Sequence, residues 1–330
     1  MSTMSVTLRD VYHARKRMAG VAVRTPLISS PELSDRTGAA VFLKLENVQR
    51  TGAFKIRGAA NKLQSLTPEE RKRGVITVSS GNHGRAVAYV ARELGIAATV
   101  CMSTHVPTNK VEAIRRLDAE VIVHGESYDE AERRATTLER ERGLTMISPF
   151  DDPHIIAGQG TIGLEILEDL PELDTAVVPL SGGGLLSGIA LTLKAADPSI
   201  HTVGVSMDRA PVMYHSLRAG HPIEMEEEET LADALAGGIG LDNRYTFRLI
   251  REYVDETLLV TEKEIAGAMA FALEEHHQVV EGGGAVALAA LMHGKVKNVG
   301  EHVVVVISGG NVDLPLLLEI AQRDAGTEPL

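Results

Sequence analysis

Short apolar runs alternate with longer segments of helical spacing along most of this sequence. The apolar runs predict strands at 40–45, 75–79, 97–102, 120–123, 144–148, 175–180, 202–206 and 303–307. Helical spacing predicts helices at 6–18, 54–66, 85–94, 108–117, 128–142, 160–170, 185–196, 262–277 and 285–292. This alternation is typical of parallel sheets with helices on both faces. A Phe-Asp-Asp-Pro break at 150–153 divides the pattern into two βα blocks.

Three of the predicted strands end in clusters of glycine, serine and asparagine. The clusters are Ser-Ser-Gly-Asn-His-Gly at 79–84, Ser-Gly-Gly-Gly at 181–184 and Ser-Gly-Gly-Asn at 308–311. Ligands of open α/β sheets bind beyond the carboxyl ends of the strands. These three segments are therefore where we expect the chemistry.

The glycine run at 182–184 follows a predicted strand and opens a predicted helix. Consecutive glycines let the backbone close on an anion, while unpaired N–H groups at the helix N-terminus point at it. A tight turn is the simpler alternative, since glycine is common in turns. The position at a strand–helix junction favours a phosphate-binding loop.

The cluster at 79–84 places two hydroxyls, an amide and an imidazole at one strand end. Hydroxyl groups and the N–H groups of a helix N-terminus can together hold a carboxylate. A helix N-cap formed by Ser80 or Asn82 is the alternative interpretation, and both roles can hold at once.

Lys55 lies between apolar neighbours, with Gly52 before it and Gly58 after it. A lysine that is withdrawn from water loses the hydration of its ammonium group, so its pKa falls and the neutral amine becomes available as a nucleophile. The alternative is a solvated lysine at a loop–helix junction, which is the common situation of lysines.

The segment 158–163 matches the G-x-G-x-x-G pattern of dinucleotide-binding proteins. It follows no convincing strand, however, and no acidic residue closes a βαβ unit behind it. We therefore predict a close-packed helix start at this point and no dinucleotide site.

Composition and charge narrow the class of protein further. With 330 residues, of which 44% are hydrophobic, the chain is long enough for two globular domains. The net charge of −12 argues against a nucleic-acid or anionic-membrane partner. No apolar run approaches the ~20 residues that span a bilayer, and residues 1–17 carry no secretory signal pattern. The single cysteine, Cys101, fits a reducing compartment, so we expect a cytoplasmic protein.

Several motifs occur in the order and spacing of one known family. They are Thr-Gly-Ala-Phe-Lys-Ile-Arg-Gly-Ala at 51–59, Ile-Ala-Gly-Gln-Gly-Thr at 156–161 and the three strand-end clusters. The sequence resembles the fold-type II pyridoxal-phosphate enzymes of the threonine/serine dehydratase and serine racemase branch, over nearly its whole length. The resemblance implies an α/β fold of two open, twisted, mostly parallel sheets flanked by helices, similar to tryptophan synthase β.

The resemblance also implies a domain division and a set of residue roles. Residues 1–48 and 149–330 would form a large cofactor-binding domain, and residues 49–148 a small mobile domain that binds the substrate carboxylate. Lys55 resembles the Schiff-base lysine that also takes the Cα proton. Phe54 would pack against the ring of pyridoxal 5'-phosphate, Asn82 would hydrogen-bond its hydroxyl, and Ser308 would face its pyridine nitrogen.

The remaining implied contacts involve the phosphate and the substrate. The phosphate would be held by the backbone N–H groups of Gly182, Gly183, Gly184 and Leu185. The substrate carboxylate would be surrounded by Ser79, Ser80, Gly81 and His83. Ser80 also matches the serine that racemases use as acid and base on the face opposite the lysine.

A serine opposite the pyridine nitrogen has a chemical consequence. A hydroxyl cannot stabilise a full positive charge there, as an aspartate does in many such enzymes. Negative charge at Cα should then be short-lived, so fast loss of a β-substituent is favoured over transamination. The implied reaction removes water and then ammonia from a β-hydroxy-α-amino acid.

The sequence departs from the family pattern in the phosphate loop, in a metal-binding segment and at Ala234, where relatives have a glycine near the cofactor ring. Ser181 stands where the phosphate loop often has a further glycine, and adds a hydroxyl near the phosphate. In relatives activated by a divalent cation, carboxylates after a strand bind the metal, and Ser206 and Val212 occupy the corresponding positions here. We therefore expect no metal at this location.

The segments at 204–207, 237–247 and 280–282 are most similar to dehydratases of hydroxyectoine breakdown, which implies a β-hydroxy-α,γ-diamino acid substrate. The sequence identifies no acidic partner for the second amino group, and 3-hydroxyaspartate is another candidate substrate. A serine or amino-acid racemase is the alternative activity because Ser80 is present. Relatives usually pair, so we expect a homodimer or a higher homo-oligomer.

Overall fold

The strands of the protein form two separate sheets. The structure is a computed structural model that describes residues 6–79, 81–106, 108–126 and 128–325. The strands are β1 (Leu27–Ser29), β2 (Ala40–Leu45), β3 (Val75–Val78), β4 (Ala98–Met102), β5 (Glu120–Val123), β6 (Thr145–Met146), β7 (Thr175–Pro179), β8 (His201–Met207), β9 (Glu256–Val260) and β10 (His302–Ile307).

Helices cover both sheets. They are α1 (Leu8–Arg17), α2 (Pro31–Thr37), α3 (Lys55–Ser65), α4 (Pro68–Arg73), α5 (Asn82–Leu94), α6 (Thr108–Arg115), α7 (Tyr128–Arg142), α8 (Pro153–Asp169), α9 (Gly184–Ala196), α10 (Val212–Ala219), α11 (Thr246–Tyr253), α12 (Glu262–His276), α13 (Gly282–Met292) and α14 (Leu314–Ala325). Short 3₁₀ helices lie at Glu46–Val48 and Asp233–Leu235. Within the described ranges, no helix is both long enough and apolar enough to cross a membrane.

Parallel pairing dominates both sheets. The larger sheet has the order β1-β2-β10-β7-β8-β9, and only its β1–β2 pair is antiparallel. The smaller sheet has the order β5-β4-β3-β6 and is parallel throughout. These sheets confirm the predicted fold class. The division into 1–48 plus 149–330 and 49–148, and the mobility of the latter, stay predictions.

The centre of the larger sheet is β10, which lies between β2 and β7. Val303 and Val305 pack into a cluster with α12 and α13, whereas Val304 and Val306 pack on the opposite face with α9. Because helices cover both faces, the strand is a continuous run of valines and does not alternate with polar residues.

Helix α8 begins earlier than its hydrophobic pattern predicts. Its first residue is Pro153, where the sequence pattern predicted a start at 160. The Asp152 carboxylate accepts hydrogen bonds from the N–H groups of His154 at 2.8 Å and Ile155 at 3.2 Å. An N-cap aspartate followed by proline is a strong helix start, so the break at 150–153 is the beginning of a helix.

Glycines allow α8 to pack closely against α3 and α9. A Cβ atom on Gly158 would lie 2.7 Å from the Cα of Gly58 in α3, and one on Gly160 would lie 2.9 Å from the carbonyl oxygen of Gly188 in α9. No side chain fits at such separations. The predicted close packing of 158–163 is therefore present, but the prediction of a helix start was wrong because these residues lie inside α8.

Four charged side chains form a buried cluster behind α3. The Arg57 Nε donates to the Glu46 carboxylate at 2.7 Å, and its Nη1 donates to the Glu165 carboxylate at 2.6 Å. The Lys44 Nζ lies 2.7 Å from the other oxygen of Glu165. Two cations thus balance two carboxylates in the interior, and they join α3 to β2, α8 and the 3₁₀ helix at Glu46–Val48.

Candidate active site

One cleft of about 2010 Å³ brings together the residues proposed from the sequence. Its lining includes Phe54, Lys55, Ser79, Gly81, Asn82, His83, Gly182, Gly183, Gly184, Leu185 and Ser308. Ser80, the remaining candidate, lies outside the described residues. Motifs that are far apart in the sequence therefore share one cavity at the strand ends, while the role of each residue stays a prediction.

Lys55 is the first residue of α3 and lines the cleft. Its Nζ donates a hydrogen bond to the carbonyl oxygen of Pro149 at 2.8 Å and lies 5.2 Å from the centre of the Phe54 ring. Burial lowers the pKa of Lys55 to about 8, and the charge of Glu281 opposes this shift. A neutral amine is therefore accessible near neutral pH, as a nucleophilic lysine requires.

The lowered pKa predicts how fast Lys55 of the cofactor-free protein reacts with an amine-directed reagent. We expect the rate to rise with pH, reach half its maximum near pH 8 and then level off, because only the neutral amine reacts. Mass-spectrometric peptide mapping measures the rate at Lys55, with the exposed Lys72 as an internal reference for the reagent. A midpoint near the ordinary lysine value of about 10.4 would contradict this prediction.

The glycine run connects β7 to α9, which begins at Gly184. Gly183 has a φ of 87°, in the left-handed region that favours glycine. The first N–H groups of a helix have no acceptor within the helix, so those of α9 are free to hold an anion. The neighbouring Ser181 hydroxyl donates to the carbonyl oxygen of Leu235 at 2.8 Å, so it anchors the loop.

His83 lies in the first turn of α5 and is buried. Its Nε2 donates to the carbonyl oxygen of Ile147 at 3.1 Å. Burial lowers the pKa of His83 to about 3, and the charge of Lys55 adds to the shift. The imidazole is therefore neutral near pH 7 and brings no positive charge to the predicted carboxylate site. Nearby, the Gly81 N–H donates to the Ser79 hydroxyl at 3.2 Å.

Asn82 contacts a buried carboxyl group to which the sequence assigned no role. Its Nδ2 donates to the Glu281 Oε1 at 2.6 Å, and its Oδ1 accepts from the Asn311 Nδ2 at 2.7 Å. Burial raises the pKa of Glu281 to about 7, and the charge of Asp233 adds to the shift. In the sequence, Glu281 belongs to the segment 280–282 and directly precedes the three glycines that open α13.

Ser308 directly follows β10 and is 3% exposed. Its hydroxyl donates to the carbonyl oxygen of Gly283 at 3.4 Å. The end of the central strand therefore offers the cleft a neutral hydroxyl group.

The end of β8 has no acidic side chain at positions 206 and 212, the two positions considered above for a metal. Ser206 and Val212 are both buried, and the Arg209 Nη1 donates to the carbonyl oxygen of Glu229 at 2.7 Å. Across the described ranges, no group of three or more His, Cys, Asp or Glu side chains is arranged to hold a metal ion.

Comparison with known proteins identifies the class to which this site belongs. A family model described as "Pyridoxal-phosphate dependent enzyme" matches residues 19–309. The chain therefore belongs to the pyridoxal-phosphate dependent enzymes, and pyridoxal phosphate is its cofactor.

Relatives narrow the family to the threonine dehydratases and serine racemases. An L-threonine ammonia-lyase of Thermotoga maritima is 44% identical over 96% of this chain and 79% of its own. The catabolic L-threonine dehydratase of Escherichia coli is 40% identical over 96% of both chains. The structure of maize serine racemase matches with a TM-score of 0.90 and 35% identity, covering 97% of this chain and 98% of that one. The enzyme is thus of the threonine dehydratase-like lyase type.

The described residues fit pyridoxal phosphate. The left-handed Gly183 and the first turn of α9 form a cradle that suits a phosphate group. The Lys55 amine suits the aldehyde, and the Ser308 hydroxyl suits a neutral pyridine nitrogen.

The cradle predicts that replacing Gly183 by alanine weakens the binding of pyridoxal phosphate. Gly183→Ala forces a side chain into the left-handed region and places its Cβ 2.5 Å from the Ile250 Cδ1. We expect the dissociation constant of pyridoxal phosphate to rise at least about tenfold, as measured by fluorescence titration.

Gly220→Ala is the matched control, because Gly220 has a φ of 83° and open space around its Cβ position. It should cost roughly 1 kcal/mol of stability and leave cofactor affinity unchanged. Unchanged affinity in folded Gly183→Ala would show that the cradle does not bind the phosphate.

Proposed function

We propose that the protein is an ammonia-lyase that removes water from a β-hydroxy-α-amino acid. The resulting enamine then takes up water and releases ammonia, giving a 2-oxo acid. One observation carries the proposal: the Lys55 amine, with its lowered pKa, lines the same cleft as the glycine cradle. The names of the Thermotoga maritima and Escherichia coli relatives support this reaction class.

Pyridoxal phosphate, when bound, supplies an electron sink for the negative charge that develops at the substrate Cα. Lys55 removes the proton from Cα, and its lowered pKa keeps the amine available as a base. The Pro149 carbonyl oxygen accepts a hydrogen bond from Nζ and so orients the amine in the cleft. The neutral Ser308 hydroxyl favours fast loss of the β-hydroxyl group over reactions that need a long-lived charge at Cα.

The substrate carboxylate is bound, in this proposal, at the start of α5. The N–H groups of a helix N-terminus favour an anion. Ser79, Gly81 and His83 line the cleft at this point, and Ser80 is the remaining predicted contact.

We further propose that the substrate carries a second amino group, as does the β-hydroxy-α,γ-diamino acid of hydroxyectoine breakdown. The similarity of 204–207, 237–247 and 280–282 to dehydratases of that route supports this. The cleft also has acidic lining residues, which would attract a second ammonium group: Glu224, Glu226, Glu227 and Asp233.

A substrate panel tests the proposal. The purified holoenzyme is given serine, threonine, 3-hydroxyaspartate and 2,4-diamino-3-hydroxybutyrate, and both ammonia and keto acid are measured. We expect equal amounts of the two products, with the highest kcat/KM for the diamino acid. Bound cofactor without ammonia release from any of the four would overturn the lyase proposal. A preference for 3-hydroxyaspartate would overturn the diamino-acid substrate.

A racemase is the second candidate, favoured by the close match to maize serine racemase and by a serine at position 80. Chiral analysis of the serine recovered from the same reactions separates the two activities. Formation of D-serine faster than pyruvate would favour the racemase.

We also propose that copies of the chain associate as a homodimer or a higher homo-oligomer. Exposed apolar side chains on α14 support this, since Leu314 is 61% exposed and Leu318 is 48% exposed. Light scattering on the purified protein measures the mass. The cytoplasmic location expected from the sequence stays a prediction.

A further inference from the structure

We propose that Glu281 is a positioning residue, which holds the Asn82 amide in the orientation that donates to the ring hydroxyl of the cofactor. This inference rests on the proposed function, because it takes the cofactor contact of Asn82 from it. Glu281 is 5% exposed and lines the cleft, and the reaction proposed above gives it no part.

A relay of hydrogen bonds fixes the direction of each amide in this region. Arg85 can only donate, and its Nη1 donates to the Asn311 Oδ1 at 2.7 Å. The amide nitrogen of Asn311 must then face the other way. It donates to the carbonyl oxygen of Thr51 at 2.8 Å and to the Asn82 Oδ1 at 2.7 Å.

The relay ends on the Glu281 carboxyl group. Because the Asn82 Oδ1 is already used by Asn311, the Asn82 Nδ2 faces Glu281 and donates to Oε1 at 2.6 Å. This bond uses one of the two hydrogens on Nδ2, and the second has no acceptor within the described part of the chain. Asn82 lines the cleft, so that second hydrogen is the donor left for a bound ring hydroxyl.

The position of the Glu281 carboxyl group is itself fixed by the backbone around it. The Glu281 N–H donates to the carbonyl oxygen of Gly309 at 3.1 Å. A Cβ on Gly309 would lie only 3.0 Å from the carboxyl carbon of Glu281, so the side chain packs directly against the glycine backbone. Glu281 is therefore a rigid acceptor at the end of the relay.

Two substitutions test whether Glu281 acts as a hydrogen-bond acceptor or only fills space. Glu281→Met keeps the volume but removes the acceptor, and we expect the dissociation constant of pyridoxal phosphate to rise about tenfold. Glu281→Gln keeps an oxygen that can accept from Asn82, so its dissociation constant should stay within about twofold of the wild type. The visible absorption band of the bound cofactor should shift in Glu281→Met and stay in place in Glu281→Gln.

A double-mutant cycle tests whether Glu281 acts through Asn82. Asn82→Ala alone should weaken cofactor binding about tenfold, and Glu281→Met should add nothing further in that background. The inference would be overturned if the losses of cofactor affinity from the two substitutions multiplied in the double variant. Wild-type affinity in folded Glu281→Met would overturn it as well. If Glu281→Met does not fold, Arg85→Met takes its place in the test, because Arg85 is exposed. We expect Arg85→Met to weaken cofactor binding about threefold in the wild-type background and not at all in the Asn82→Ala background.

The same measurements distinguish this inference from the proposed function. A wild-type enzyme that binds pyridoxal phosphate but releases no ammonia overturns the lyase proposal. The double-mutant cycle can still be measured in that case, because it uses cofactor affinity and not activity. Wild-type affinity in Asn82→Ala overturns the cofactor contact of Asn82, and the role of Glu281 with it.

Discussion

Lys55→Ala is expected to lower kcat for ammonia release by at least about 10³-fold, since it removes both the covalent anchor and the base at Cα. The substitution also removes the amine that donates to the Pro149 carbonyl oxygen in the cleft. A coupled assay for ammonia under saturating substrate and pyridoxal phosphate measures the loss. An active Lys55→Ala enzyme would contradict the assignment of Lys55.

Lys62→Ala is the matched control for this experiment. Lys62 lies on the same helix, and its Nζ is 2.5 Å from the Asp152 carboxylate. Losing this ion pair, whose side chains are 16% and 15% exposed, should leave kcat unchanged, because Lys62 does not line the cleft. A comparable loss of activity in both variants would show that the effect comes from disturbance of α3 as a whole.

Arg57→Met is expected to lower the free energy of unfolding by about 3–5 kcal/mol. It removes one cation from the buried cluster and leaves the carboxylates of Glu46 and Glu165 with only Lys44 to balance them. An unpaired buried charge is far more costly than the loss of the bond itself. Urea denaturation of the wild type and the variant measures the difference.

Arg24→Met is the control for the buried cluster. Arg24 pairs with Glu168 and Asp169 at the surface, where its side chain is 48% exposed. Exposed ion pairs contribute about 1 kcal/mol or less, so this variant should stay close to the wild type. Equal destabilisation of the two variants would mean that the buried cluster has no special energetic weight.

The parallel sheets were predictable from the sequence because buried parallel strands are continuous apolar runs. β10 is the clearest example, with Val303–Val306 buried on both faces. β1 and β9 were missed because they are short edge strands with half-buried residues. The start of α8 was misplaced because the glycines at 158 and 160 interrupt its helical pattern. In the structure these glycines are needed inside the helix, because neighbouring backbones leave no room for a side chain there.

The site was predictable where residues that are close together in the sequence carry the chemical groups that form it. The glycine run before α9 and the apolar surroundings of Lys55 are visible in the sequence, and the glycines and Lys55 line the cleft. Glu281 was not predictable, because its importance depends on a contact with Asn82 that is 199 positions away. The buried cluster around Arg57 is of the same kind, since its partners come from two separate segments, residues 44–46 and Glu165.

The glycine contacts of α8 fix the distance between the starts of α3 and α9, and this distance limits the length of a ligand that can contact both. α3 begins at Lys55 and α9 begins at Gly184, and α8 packs backbone to backbone against both. No change of side-chain rotamer can alter the span between the two helix starts. A ligand that engages both must match that span, so pyridoxal without its phosphate would engage only the lysine end.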